Sequence, residues 1–187
     1  EPEAIVITSA VLSDHGGYGV TCPESADGSI TVTAQGGTAP LVFAWTGPDG
    51  FTSDQPAITL LRAGLYNLTI TDGAGCTLSA PYTLTAPEAM IISAVTDDAS
   101  CPDTPDGSID LTVSGGSGTL TYHWDDGITT ADRTSMLSGD FTVDVTDANG
   151  CTQNYKVTVG VTGLDCLRIY EIITPNGDGS NDTWQLR

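Results

Sequence analysis

The sequence predicts an all-β chain: two tandem antiparallel sandwiches, then the first strands of a truncated C-terminal β domain. Three observations predict it. A block of sequence returns downstream without a gap, apolar residues alternate with a period of two, and clusters of Gly, Pro, Asn and Asp separate the short apolar runs.

The block "CPESADGSITVTAQGGTAPLVFAW" from Cys22 to Trp45 returns as "CPDTPDGSIDLTVSGGSGTLTYHW" from Cys101 to Trp124, offset by 79 residues with 11 identities in 24 positions. A second block, "GLYNLTITDGAGC" from Gly64 to Cys76, returns as "GDFTVDVTDANGC" from Gly139 to Cys151 at an offset of 75. The connection between the blocks is therefore four residues shorter in the second copy. "EPEAIVI" at Glu1 mirrors "APEAMII" at Ala86, which places Glu1 at a repeat boundary, as in an excerpt from a longer array. The expected domains are residues 1–86, 87–163 and 164–187.

Within each copy Ile30, Val32 and Ala34 alternate with Ser29, Thr31 and Thr33, and Ile109, Leu111 and Val113 alternate with Ser108, Asp110 and Thr112. Such runs have one core face and one wet face. Leu41, Phe43 and Trp45 repeat the pattern, as do Tyr66, Leu68 and Ile70, and no stretch carries a helical period. Short strands with a Trp on a central one predict a two-sheet sandwich of immunoglobulin-like type. Two further candidates, Phe51 to Ser53 and Ala57 to Leu61, bring each repeat to seven strands and put its termini at opposite poles. The linker Ala86 to Glu88 is short and contains a proline, so a stiff rod is expected.

The 24 acidic residues against 5 basic ones give a net charge of -19, which repels phosphate backbones and anionic membranes. Nucleic acid is excluded as a partner on that ground, and no apolar run is long enough for a spanning helix. The acids are expected on a solvated surface.

Five cysteines at regular places in an acidic β protein point to an oxidising, extracytoplasmic compartment. Two pairings are open. Within repeats, Cys22 would join Cys76 and Cys101 would join Cys151, leaving Cys166 alone. Seven-strand parity puts Cys22 and Cys76 at opposite poles and favours Cys22 with Cys151 and Cys101 with Cys166, across junctions, with the partner of Cys76 in a preceding repeat; with one strand fewer the first scheme returns.

Catalytic motifs are scarce. His15 lies in a loop and His123 on the polar face of a strand, both expected as exposed surface histidines, with no HExxH, GxSxG or P-loop. Asp97 with Asp98 and Asp125 with Asp126 lie in turns, where Asp satisfies local backbone N–H groups. No catalytic residue is expected, and the chain reads as non-enzymatic. Trp45 and Trp124 are expected in the core, whereas Tyr18 and Phe51 are candidates for exposed ligand contacts.

The run of Cys, "DGSI", "GG", a strand ending in Trp, "GxY" or "GxF", then "TDxxGC" resembles the SprB-type repeats of surface adhesins from gliding bacteria, over nearly all of residues 1–163. "CLRIYEIITPNGDGSNDTWQL" from Cys166 resembles the opening of the type B C-terminal sorting domain of type IX secretion cargo. Its core is carried by Thr174, Pro175, Asn176, Gly177, Asp178, Gly179, Asn181, Asp182 and Trp184. The resemblance implies export across the outer membrane by the type IX machinery and retention at the cell surface through a PorP/SprF-like outer-membrane protein. It also implies that repeat arrays serve as adhesin stalks, each repeat contacting its neighbours. A glycan-binding module that recognises a surface polysaccharide is the alternative function.

The terminal motif has two chemical readings. Asn176, Asp178, Ser180 and Asp182 place oxygen ligands at alternate positions, as calcium loops do, although Asn181 stands where an EF-hand count requires Gly and no Glu closes the loop. Asn-Gly and Asp-Gly also form tight turns with no metal. No other cofactor is expected.

Overall fold

In the computed structural model, residues 3–163 and Cys166 are described. Among these residues the chain is all-β, with one short 3₁₀ turn at Pro48–Gly50. The first repeat forms β1 (Val6–Leu12), β2 (Gly28–Gln35), β3 (Val42–Thr46), β4 (Thr52–Ser53), β5 (Ala57–Leu61), β6 (Gly64–Thr71) and β7 (Thr77–Leu84). The second forms β8 (Ile91–Asp97), β9 (Gly107–Ser114), β10 (Thr121–Trp124), β11 (Arg133–Met136), β12 (Gly139–Thr146) and β13 (Thr152–Val159).

Among the described residues four sheets result, ordered β1-β2-β5, β4-β3-β6-β7, β11-β9-β8 and β10-β12-β13. Each of these draws its strands from a single repeat. By packing, the chain divides into two compact units: Glu1–Ala94 with Leu111–Ala131 and Phe141–Val157, and Val95–Asp110 with Asp132–Asp140 and the described residues from Thr158 onward.

The period-two pattern explains the first sandwich. Ile30 and Val32 on β2, Ile58 and Leu61 on β5, Trp45 on β3 and Leu68 and Ile70 on β6 turn inward to one core, while the intervening Thr31 and Thr33 are exposed. The Trp45 ring is 1% exposed and lies 5.7 Å from Tyr82, and its indole Nε1 donates to the Gln55 carbonyl at 2.9 Å. Tyr66 enters β6 just past the β5–β6 corner, and its hydroxyl donates back to the Arg62 carbonyl at 2.9 Å. That bond is the tyrosine corner of immunoglobulin-like sandwiches. Trp on the third strand, the corner and the strand order together make the fold immunoglobulin-like.

The second repeat has six strands among the described residues, not the expected seven. Its four-residue deletion falls where β4 lies in the first copy. The chain makes the same reversal without a ladder, through the bonds Trp124 N to Ile128 O and Gly127 N to Trp124 O, both 2.9 Å. Trp124 Nε1 then donates to Thr130 O at 2.8 Å, as Trp45 does to Gln55. Losing the strand therefore leaves the chain direction unchanged.

The paired glycines of each copy hold the segment that opens the repeat. Gly36 and Gly115 have φ of +79° and +78°, and a Cβ there would lie 2.1 Å from Ala4 O or 2.2 Å from Ala89 O. Only glycine permits that approach. The next residues complete it: Gly37 N donates to Glu3 O at 2.7 Å and Gly116 N to Glu88 O at 2.9 Å.

Candidate functional site

The repeated motifs converge on the cysteines. In the loop before β2, Asp27 accepts hydrogen bonds from the Thr21 hydroxyl and the Thr21 amide, and Ser25 N donates to Cys22 O at 3.0 Å. Its counterpart before β9 has Asp106 accepting from Ser100 N at 2.8 Å and Thr104 N donating to Cys101 O at 3.0 Å. These bonds, the Thr21 and Ser100 hydroxyl-bearing residues foremost, hold the Asp27 and Asp106 carboxyls below the ordinary Asp range. Each Asp thus fixes the loop that presents a cysteine.

The "TDxxGC" turn is a second such device. Asp72 is 6% exposed; its Oδ2 accepts from Thr38 N at 2.9 Å and its Oδ1 from Ala74 N at 3.0 Å and Cys76 N at 2.8 Å. Asp147 repeats this with Ser117 N at 2.9 Å, Asn149 N at 3.0 Å and Cys151 N at 2.9 Å. The Thr38 bond, then the Cys76 bond, pulls the Asp72 carboxyl below its ordinary value.

Loop and turn meet in a disulfide. Cys22 is bonded to Cys151 with Cα atoms 5.6 Å apart, inside the range that an unforced disulfide requires. Beside it Asn149 Nδ2 donates to His15 O at 3.1 Å and Thr21 O at 3.3 Å. His15 is half-buried here, with Nε2 buried and unpartnered among the described residues, so it is not the exposed histidine expected; His123 is exposed. A second disulfide joins Cys101 to Cys166 with Cα atoms 5.5 Å apart. In both joints the incoming sulfur lies 3.2 Å from the carbonyl before the loop cysteine, Thr21 O for Cys151 and Ser100 O for Cys166. Cys76 is free and exposed.

The pairing within repeats, Cys22 with Cys76 and Cys101 with Cys151, is not formed. Cys76 immediately precedes β7, whereas the Cys22 loop is held past its far end by Gly19 N to Thr85 O at 2.8 Å. Eight strand residues at ~3.4 Å separate those poles by about 27 Å, several times the reach of a disulfide.

Of the acidic pairs, Asp126 accepts locally, from Ile128 N, as expected; the others accept from distant segments and not from their own turns, Asp98 from Gly160 N, Asp97 at the end of β8 from the Ser108 hydroxyl and Asp125 from Thr142 N. Among the described residues no group of three His, Cys, Asp or Glu is placed to hold a metal. The Phe51 ring is half-buried, edge-on to Tyr66 at 5.5 Å, and lines a shallow cleft with Leu60 and Arg62; Tyr18 lines another with Leu12 and Thr85. The sorting motif and the calcium candidates Asn176, Asp178, Ser180 and Asp182 lie outside the described residues.

The family model described as SprB repeat matches residues 20–50 and 93–129. One match falls in each copy. No curated protein sequence matches the chain. Among solved structures it is similar to the N-terminal eight Ig domains of Down Syndrome Cell Adhesion Molecule isoform 1.30.30, at 11% identity over 87% of this chain and 25% of that one, with a TM-score of 0.46. It is also similar to the amphioxus IgVJ-C2 molecule (12% identity, 83% of this chain and 98% of that one, TM-score 0.31) and to Dpr2 Ig1-Ig2 in complex with DIP-Theta Ig1-Ig3 (11%, 86% and 66%, 0.34). The chain spans about a quarter of the first of these. The immunoglobulin-like assignment rests on the strand order and on the positions of Trp45 and Tyr66 in this chain.

Proposed function

We propose that the chain is a non-enzymatic stalk segment of a secreted cell-surface adhesin, exported by the type IX secretion system and retained at the outer membrane through its C-terminal module. SprB repeats in an immunoglobulin-like fold with disulfides fit a repeat module of an extracellular or surface adhesin. The observation that carries the stalk reading is the Cys22–Cys151 bond, which ties one SprB copy to the next instead of closing each on itself. A tether of that kind transmits tension between repeats by covalent bonds.

Retention is proposed to act through the run from Thr174 to Trp184, with a PorP/SprF-like protein as the membrane partner. Protease shaving of intact cells tests it: the repeats are accessible in wild type and absent from the surface when the type IX machinery is disabled. Replacing Asp178 and Asp182 with Ala lowers surface display while the repeats stay folded; unchanged display refutes the assignment of that run. Calcium calorimetry on wild type and the double variant then separates a metal loop from a plain turn.

A further inference from the structure

The two "TDxxGC" turns match bond for bond, and one of them is seen seated. In the seated copy, Asp147 N donates to Cys151 O, Gly150 N to Asp147 O and Ala148 N to Ser117 O; in the other, Asp72 N donates to Cys76 O, Gly75 N to Asp72 O and Gly73 N to Thr38 O. The carboxylate cradles are equivalent, and Gly150 and Gly75 have φ of +86° and +87°. The difference lies in what covers them: Cys151 is half-buried against the Cys22 loop, and Cys76 is exposed with a free thiol. The receiving side also recurs, since the Asp27-held Cys22 loop and the Asp106-held Cys101 loop each bind an incoming cysteine at the same carbonyl distance.

We propose that the Asp72–Cys76 turn is a docking surface for the Asp-capped Ser/Thr-Cys-Pro loop of another repeat of this type, closed by a disulfide through Cys76. The proposal deepens the stalk reading and rests on it, because it makes every repeat both a donor turn and an acceptor loop. Ala74 stands where Asn149 supplies its two amide bonds, so the disulfide carries more of this joint than of the seated one. The oxidant is a disulfide, glutathione disulfide in vitro. The Cys76 thiolate attacks it and releases one glutathione thiolate; the loop cysteine's thiolate then attacks the mixed disulfide and releases the second.

Cys166→Ser frees the Cys101 loop and leaves Cys76 in place, so one chain carries both halves. In a glutathione redox buffer this variant is expected to form head-to-tail oligomers in which Cys76–Cys101 cross-links outnumber the two homotypic kinds by about tenfold, where random coupling gives equal amounts of the two classes. An intact Cys22–Cys151 peptide in the same non-reducing digest reports folding. Cys151→Ser, which frees the Cys22 loop instead, tests the same coupling through Cys76–Cys22 cross-links if the first variant does not fold. A random ratio, homotypic dominance or glutathionylated Cys76 without coupling overturns the proposal. Ala74→Asn is expected to speed the heterotypic coupling several-fold. In protein alkylated as it is isolated from its native cells, Cys76 in an intrachain cross-link identifies a neighbouring repeat as partner, an interchain one a second molecule, and an alkylated Cys76 refutes docking. Coupling of the purified chain does not depend on where the cell places it, so protease shaving can fail while this result stands, and the reverse.

Discussion

Tension applied at the two ends should read the disulfide connectivity as a length. With both bonds closed, the covalent path runs from Glu1 to Cys22, crosses to Cys151 and continues to Arg187, leaving about 58 residues to extend, or roughly 200 Å at ~3.5 Å per residue. In Cys22→Ser/Cys151→Ser the path must run to Cys101 and cross to Cys166, which raises it to about 122 residues, or roughly 430 Å. Full reduction releases the whole chain, roughly 650 Å. The assay is single-molecule stretching with handles at the termini, in a Cys76→Ser background to prevent exchange. Pairing within repeats would leave only Cys101 bonded to Cys151 in that background and give about 137 residues and roughly 480 Å in the oxidised protein. That length, or no difference between the oxidised protein and the double variant, refutes the joint. The same double substitution should destabilise the oxidised chain to chemical denaturant by up to about 4–5 kcal/mol, the chain-entropy value for a loop of this size.

Asn149→Ala removes two hydrogen bonds to carbonyls of the Cys22 loop and should cost about 1–2 kcal/mol by guanidinium unfolding, with a smaller effect once Cys22 and Cys151 are both Ser. Tyr66→Phe deletes the corner hydroxyl bond and should cost about 1 kcal/mol; Phe141, its counterpart, already lacks the hydroxyl. Asp27, Asp72 and Asp106 have folded pKa values below the ordinary 3.8, so their contribution is fully present above that pH and lost as pH falls through the folded values. The guanidinium midpoint should therefore hold from pH 7 to about 5 and drop below about 4, less steeply in Asp72→Asn.

Much of this architecture was legible because a duplicated sequence gives each residue a second reading. Ile30 and Ile109, or Trp45 and Trp124, need not be judged from one alternation each, since both copies bury them. The strand count of the second copy was less legible. A four-residue deletion removes β4, yet Trp124 Nε1 still finds a carbonyl, at Thr130, because the shortened connection takes the same course. His15 departs from expectation for another reason: it has no counterpart in the second copy's shorter loop, and a partner 134 residues away in sequence, Asn149, leaves no local trace. The roles of Asp72 and Asp147 were open to inspection as a repeated "TDxxGC", but a motif shows recurrence and not which amides a carboxylate faces.

The carboxylates in these motifs bear on why a chain with a charge of -19 places buried acids next to its cysteines. A disulfide forms when two Cα atoms are held about 5.5 Å apart with suitable side-chain directions, and a flexible loop seldom holds them so. A neutral cap would supply weaker bonds than an ionised one, since charge-assisted hydrogen bonds to backbone N–H groups are roughly twice as strong. Asp147 takes three such bonds from two separate segments, Ser117 on one side and Asn149 with Cys151 on the other, so the turn is ordered before any partner arrives. Asp72 does the same for Cys76, whose thiol is free and exposed. The two carboxylates thus order both turns alike, and the seated copy shows the geometry in which such a turn meets a Cys-Pro loop.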